Sequence, residues 1–208
     1  MRFLLFALTL VFGLPGVAQQ DSLPHTYRSL QEALAHPSKV LRLDLSDKRL
    51  EEFPPEILLM TNLEELRLRN DGIRSLPPGI GGLSKLRTLD LSGNPITVLP
   101  DEFTQLLSLE VLLLNDDPAI DLEHDLELLS RLPRLRILEL RGDGIRQLPS
   151  SIGRMEHLEE LYLNNNQLQA LPAELKGMRA LKLIDLGTNP VQPLIPLDLQ
   201  QRGVLVRF

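Results

Sequence analysis

The sequence predicts an α/β solenoid, with a parallel sheet on its concave side and short helices or 3₁₀ turns on its convex side. The pattern LxxLxLxxx occurs seven times, beginning at Val40, Leu63, Leu86, Leu109, Leu135, Leu158 and Leu181; five of the six intervals are 23 residues and one is 26. A fixed period of this length is the mark of stacked structural units. A proline also recurs at one register of the unit, at Pro54, Pro77, Pro100, Pro149 and Pro172. Finally, a unit this short cannot offset the entropy of ordering its own backbone, so each one must bury its apolar face against its neighbours. Such stacking produces a broad curved surface and no enclosed cavity.

Before the first unit the chain changes character. Arg2 provides a positive start, Phe3 to Phe12 are almost wholly apolar, and Gly16-Val17-Ala18 offers small residues at a cleavage point. Residues 1–18 are therefore expected to be a signal peptide. They are too short for a membrane span, which needs about 20 apolar residues, and no stable span is expected once they are removed. Residues 19–26 read as a linker. Over 27–39, Leu30, Ala33 and Leu34 share one helical stripe that His36-Pro37 ends; this is expected to be a helical cap over the open end of the first unit.

Seven units occupy residues 40–203. In Leu63-Glu64-Glu65-Leu66-Arg67-Leu68 the alternation predicts a short strand, with Leu66 and Leu68 inward and Glu65, Arg67 and Arg69 on the opposite face. A turn at Asp71-Gly72 follows, then Ile73, Leu76, Ile80 and Leu83 as further inward residues. The recurrent proline is expected to preset a helical turn at its first position, where the missing N–H does no harm. The fourth unit lacks that proline and carries the extra residues; Leu122, Leu126 and Leu129 with Glu123 and Glu127 suit a longer convex helix there. Pro193 and Pro196 suggest a looser final turn, and residues 204–208 (VLVRF) read as a capping strand. Few residues follow the last unit, and no appended catalytic domain is expected.

Charge narrows the function. Removing residues 1–18 takes away one arginine and leaves 21 basic and 28 acidic residues, a net charge of −7. Scattered Lys and Arg on an acidic chain exclude the basic stripe that nucleic acid requires. Cysteine is absent, so neither a disulfide nor an acylated lipoprotein anchor is expected, and no Asn-x-Ser/Thr sequon is present.

The repeats resemble the leucine-rich repeat family from Val40 to about Arg202. The segments Ile73 to Ile80 and Ile145 to Ile152 are similar to its 23-residue LxxLPxxI class, found in short exported bacterial proteins and in Ras-pathway scaffolds. The resemblance implies a right-handed curved horseshoe segment and a role in protein recognition. Many animal extracellular members close their ends with cystine caps, so the lack of cysteine points to a bacterial source. In the family, an asparagine nine positions into each unit bonds to the backbone of adjacent turns. Here that column reads Lys48, Asp71, Asn94, Asp117, Asp143, Asn166 and Asn189. Aspartate accepts but does not donate when ionised, so weaker bonding between turns is expected at the departures.

Parallel strands set residues of successive units side by side, about 4.8 Å apart. In the first half of the concave face Asp44, Arg67 and Asp90 alternate in sign and are expected to satisfy one another. The second half differs. Val111, Leu113, Ile137, Tyr162 and Leu183 are apolar at solvent-facing positions, bordered by Asn115, Glu139, Arg141, Glu160 and Asn164. An apolar centre with a polar rim, an aromatic and an arginine has the composition of a protein interface. These ten residues are the candidate partner-binding site.

Other motifs carry less. Arg141-Gly142-Asp143 spells an integrin-binding tripeptide, but Arg69-Asn70-Asp71-Gly72 occupies the same register, so it reads as a product of the repeat. His124 and Glu127 lie three apart on the expected helix and could supply two metal ligands; without a third, no metal site is expected. No Ser-His-Asp grouping or phosphate-binding loop occurs, and no catalytic residue or cofactor is expected. The reading is a non-catalytic scaffold, secreted or held in the periplasm or cell envelope, that binds a protein of unknown identity on its concave face; its oligomeric state is not given by the sequence, with a monomer favoured. A structural or carbohydrate-binding envelope protein is the alternative; sugar binding usually stacks rings on exposed aromatics, and Tyr162 is the one strand candidate.

Overall fold

The computed structural model describes residues 25–192 and 197–208. The expected signal peptide, residues 19–24 of the expected linker, and Pro193 and Pro196 lie outside the described residues. One strand from each unit enters a nine-stranded, all-parallel sheet whose spatial order is the chain order. The seven unit strands are β2 (Arg42–Asp44), β3 (Glu65–Arg67), β4 (Thr88–Asp90), β5 (Val111–Leu113), β6 (Ile137–Glu139), β7 (Glu160–Tyr162) and β8 (Leu183–Asp185). Each pairs with the next at the repeat spacing, as in Leu66↔Leu89 and Leu89↔Leu112. A one-residue slip would expose every one of these leucines, so burial specifies the register.

The interior is one continuous leucine stack. Leu43, Leu66, Leu89, Leu112, Leu138, Leu161 and Ile184 form one buried row, and Leu45, Leu68, Leu91, Leu114, Leu140, Leu163 and Leu186 another. On the convex side, 3₁₀ turns occupy Pro55–Leu59, Pro78–Gly82, Asp101–Gln105, Ser150–Arg154 and Ala173–Gly177. The recurrent prolines do not take the first helical position, contrary to the sequence expectation. Each precedes its turn in extended conformation, with φ between −61° and −72°. Its carbonyl accepts the amide three residues on, as Pro77 does from Ile80 at 3.0 Å and Pro100 from Phe103 at 2.9 Å. Proline suits the site because its φ is fixed where the strand-side chain must turn.

The fourth unit replaces its turn with α2 (Leu122–Leu129), capped by the Asp121 carboxylate, which accepts the amide of His124 at 3.2 Å. α1 (Leu30–Leu34) lies at the start of the described chain; the Ser29 hydroxyl caps it by accepting the amide of Glu32 at 3.4 Å, and Ala33 is buried. Thr26–Tyr27 form β1, which pairs with β2 and has no counterpart in the sequence reading. α3 (Leu197–Gln201) leads into β9 (Leu205–Arg207), which pairs with β8.

The asparagine column runs through the turns that follow the strands. Asn94 is buried and joins two units: its Oδ1 accepts the amides of Asp71 and Ile73 at 3.1 and 3.0 Å. Its Nδ2 donates to the carbonyls of Leu68 and Leu91 at 2.7 and 2.6 Å. Asn166 and Asn189 repeat the two donations to carbonyls, and each accepts one amide, from Ile145 and Leu168 respectively. Asp71 and Asp143 keep only the accepting half, taking the amides of Lys48 and Asp117 at 2.7 and 2.8 Å, and the second oxygen of each is buried without a partner. Asp117 is fully buried and neither carboxyl oxygen has a well-formed hydrogen bond.

Candidate protein-interaction face

The sheet brings the ten sequence-selected residues onto one surface. Val111, Ile137, Glu160 and Leu183 are successive register partners, as are Leu113, Glu139, Tyr162 and Asp185. Asn115, Arg141 and Asn164 stand two residues further along their chains, and all ten residues are half-buried. The apolar side chains are therefore open to contact yet held laterally by their neighbours.

The polar border is already bonded. Arg141 lies 4.5 Å over the centroid of the Tyr162 ring, a cation–π stack. Its Nη2 also meets Glu139 Oε1 at 3.2 Å. Asn115 Nδ2 donates to Glu139 Oε2 at 3.0 Å, while Asn115 Oδ1 accepts the amide of Arg141 at 2.9 Å. The Tyr162 hydroxyl donates to Glu160 Oε2 at 2.6 Å, and this carboxylate above all holds the phenol above its ordinary pKa. Arg141 Nε and Asn164 Oδ1 are buried without a hydrogen-bond partner. The arrangement offers a fixed apolar surface with one rigid aromatic.

The first half of the face corrects one expectation. Arg67 stands between Asp44 and Asp90 but pairs with neither; it pairs within its own strand with Glu65, at 2.6 Å. Asp44 and Asp90 instead accept the amides of Ser46 and Ser92, at 3.2 and 3.0 Å. A carboxylate can satisfy the amide two residues on without ordering a long side chain, so the local bond prevails.

Another charge ladder escaped the sequence reading, although its signal was legible. Glu64, Arg87, Glu110, Arg136, Glu159 and Lys182 recur at the position before each strand from β3 to β8 and alternate in sign. Arg87 lies 3.8 Å from Glu110, Arg136 grips Glu159 with two bonds of 2.9 and 3.0 Å, and Lys182 meets Glu159 at 2.6 Å. Arg136 and then Lys182 lower the Glu159 carboxyl to about 2.

On the convex side His124 and Glu127 go to different partners. His124 Nδ1 bonds the buried Asp125 at 3.0 Å, whereas Glu127 meets Arg154 and Arg131 at 3.2 and 3.8 Å. Among the described residues no group of three could hold a metal ion. In Arg141-Gly142-Asp143 the aspartate is 6% exposed and is spent on the amide of Asp117, so the tripeptide is not presented as a loop. Asp125 is the buried carboxylate that sequence reasoning missed: it anchors α2 to the preceding unit by accepting the amide of Leu99 at 3.0 Å. No described helix is long and apolar enough to cross a membrane.

Comparison with known proteins adds lineage to geometry. The chain matches the leucine rich repeat family over residues 61–118 and 127–191. No curated protein matches it by sequence. A leucine-rich repeat protein of Leptospira interrogans is similar at 27% identity and a TM-score of 0.69, covering 87% of this chain and 51% of that one. A chain of the Toll–Spatzle complex of Drosophila is similar at 22% identity and a TM-score of 0.72, covering 87% of this chain and 25% of that one. Internalin C2 of Listeria monocytogenes gives 22% and 0.63, covering 83% and 82%. The last two likenesses show the fold alone. This chain spans about half of the Leptospira protein.

Proposed function

We propose, from the premise that this chain belongs to the leucine-rich repeat family, that it is a non-catalytic scaffold binding a protein on its concave face. Members of this family generally serve as protein-interaction scaffolds. The observation that carries the assignment here is the open apolar surface of Val111, Leu113, Ile137 and Leu183 beside the bonded Arg141–Tyr162–Glu139 border. A border fixed in advance leaves less side-chain freedom to lose on association. Glu160, Asn115 and Asn164 complete the surface. Sugar binding has less support, because the ring of its one stacking candidate, Tyr162, already carries Arg141.

The charged start and apolar run of residues 1–18 support export in a bacterial cell, to the periplasm, the envelope or the medium. Mass spectrometry of the native N-terminus tests that part, since an intact Met1 contradicts it. For the face, full-length protein and a variant carrying Leu113→Asp with Tyr162→Ala are used as bait in envelope extract and culture supernatant. Circular dichroism establishes that the variant is folded. Proteins retained by the native chain and lost by the variant support the concave site; equal retention by both rejects it.

A further inference from the structure

One column of the concave face alternates in character. Register pairing sets Asp90, Leu113, Glu139, Tyr162 and Asp185 side by side, one from each strand from β4 to β8. Strands lie about 4.8 Å apart. A carboxylate therefore recurs roughly every 10 Å, with an apolar or aromatic side chain midway between.

The carboxylates at the two ends have arginines as register neighbours, Arg67 beside Asp90 and Arg207 beside Asp185, yet neither arginine pairs with them. Asp90 and Asp185 each accept an amide of their own turn, from Ser92 and Gly187 at 3.0 Å, through one oxygen. Neither is ion-paired among the described residues, and only Glu139 shares its charge with a cation, Arg141. The neighbouring column, Thr88, Val111, Ile137, Glu160 and Leu183, widens the apolar strip and adds one more carboxylate. The occupant must then bring cations at intervals of roughly 10 Å and apolar groups between them.

Backbone geometry selects its conformation. An α-helix rises about 1.5 Å per residue, so side chains alternating three and four residues apart advance about 5 Å per step and 10.5 Å per heptad. A β-strand places same-side residues about 6.7 Å apart and falls out of step by roughly 2 Å at every contact. We propose that the partner, on the concave-face reading above, presents an α-helix across the strands, with Lys or Arg at one heptad position and Leu or Ile at the other. Its cations meet Asp90, Glu139 and Asp185, and its apolar side chains meet Leu113 and Tyr162.

Three synthetic helices about three heptads long test this. The first carries Lys at a and Leu at d, the second Glu at a and Leu at d, and the third Lys at a and Ala at d. Fluorescence anisotropy with the full chain is expected to show the Lys/Leu helix binding at least about tenfold tighter than either relative, and weakening as salt rises. Asp90→Asn with Asp185→Asn keeps the amide-accepting oxygens and is expected to cost roughly three- to tenfold in affinity. Equal binding of the Glu/Leu helix, or no change in the double variant, overturns the basic partner. In that case, continued loss of binding by Leu113→Asp leaves the face itself standing, and insensitivity to Leu113→Asp removes the face as well. Failure of the Lys/Leu helix to bind up to about 1 mM also overturns the proposal.

Discussion

Asp143 Oδ1 accepts the backbone N–H of Asp117 at 2.8 Å, joining the fifth unit to the fourth, and the side chains of both aspartates are buried. Where asparagine occupies the column, an amide Nδ2 donates to two leucine carbonyls. Ionised aspartate at this register places negative charge where the donor belongs. Burial raises Asp117 to about 6, helped by the charge of Asp125 and moderated by the amides of Ala119 and Ile96. Burial raises Asp143 to about 7, with Asp117 and Asp116 adding repulsion and their amides opposing it.

The pH dependence of stability follows in sign. Both groups take up protons more readily when folded than when unfolded, where aspartate ionises near 3.8. Stability is therefore undiminished below that value, falls as pH rises through about 6 and 7, and then levels. At about 1.4 kcal/mol per pH unit between the unfolded and folded values, the loss between about pH 4 and pH 8 is at most on the order of 7 kcal/mol for the two groups together. Glu159, lowered from 4.5 to about 2, acts the other way: its contribution is present above about 4.5 and is lost as pH falls through about 2. Urea midpoints across this range check the slope. Asp117→Asn and Asp143→Asn should flatten it and raise stability at about pH 8 by roughly 1–3 kcal/mol each; midpoints that rise with pH in the native chain contradict the assignment.

Asn94→Ala is expected to cost about 2–4 kcal/mol, because it leaves buried amides and carbonyls of two units unpaired. Hydrogen exchange of the Asp71 and Ile73 amides should accelerate more than that of the Asn166 turn. Uniform acceleration along the solenoid would show a global effect instead.

Glu159→Ala is expected to change stability by no more than about 1 kcal/mol despite its two cationic partners. Arg136 and Lys182 are more than half exposed, and water screens both pairs. A thermal melt at low and high salt should show the small difference vanish as salt is added; a large, salt-independent loss contradicts it.

Gly153→Ala should destabilise by about 1–3 kcal/mol. A Cβ at this position would lie 2.5 Å from the carbonyl oxygen of Glu174, which belongs to the backbone of the next convex turn. Gly82→Ala is the control, since a Cβ there meets nothing within 4 Å. Equal denaturation midpoints for the two variants would show that the turns can separate without loss.

Much of the fold was legible because the period carries it. The leucines at a spacing of 23 identified the strands, their register and the inward rows, and the missing proline with three extra residues located α2. The same spacing gathered the ten residues of the candidate face. Local competition was not legible. Arg67 sits between two aspartates in its column, yet bonds Glu65 in its own strand, because rotamer reach and self-capping aspartates outcompete neighbours across strands. β1 is a two-residue strand with no repeat signal, formed because β2 otherwise has an unpaired edge.

By itself the sequence determined a repeating unit too small to be stable alone, and with it the parallel sheet, the buried leucine rows and the side on which charge would be exposed. Tertiary structure alone decided which polar groups meet. It left the Asp117 carboxyl without a well-formed hydrogen bond, stacked Arg141 on Tyr162 and kept Asp90 and Asp185 without ion pairs at the ends of an alternating column. Periodic burial is a sum over many residues and survives local variation, whereas each polar contact depends on a few tenths of an ångström and on the competitors within reach.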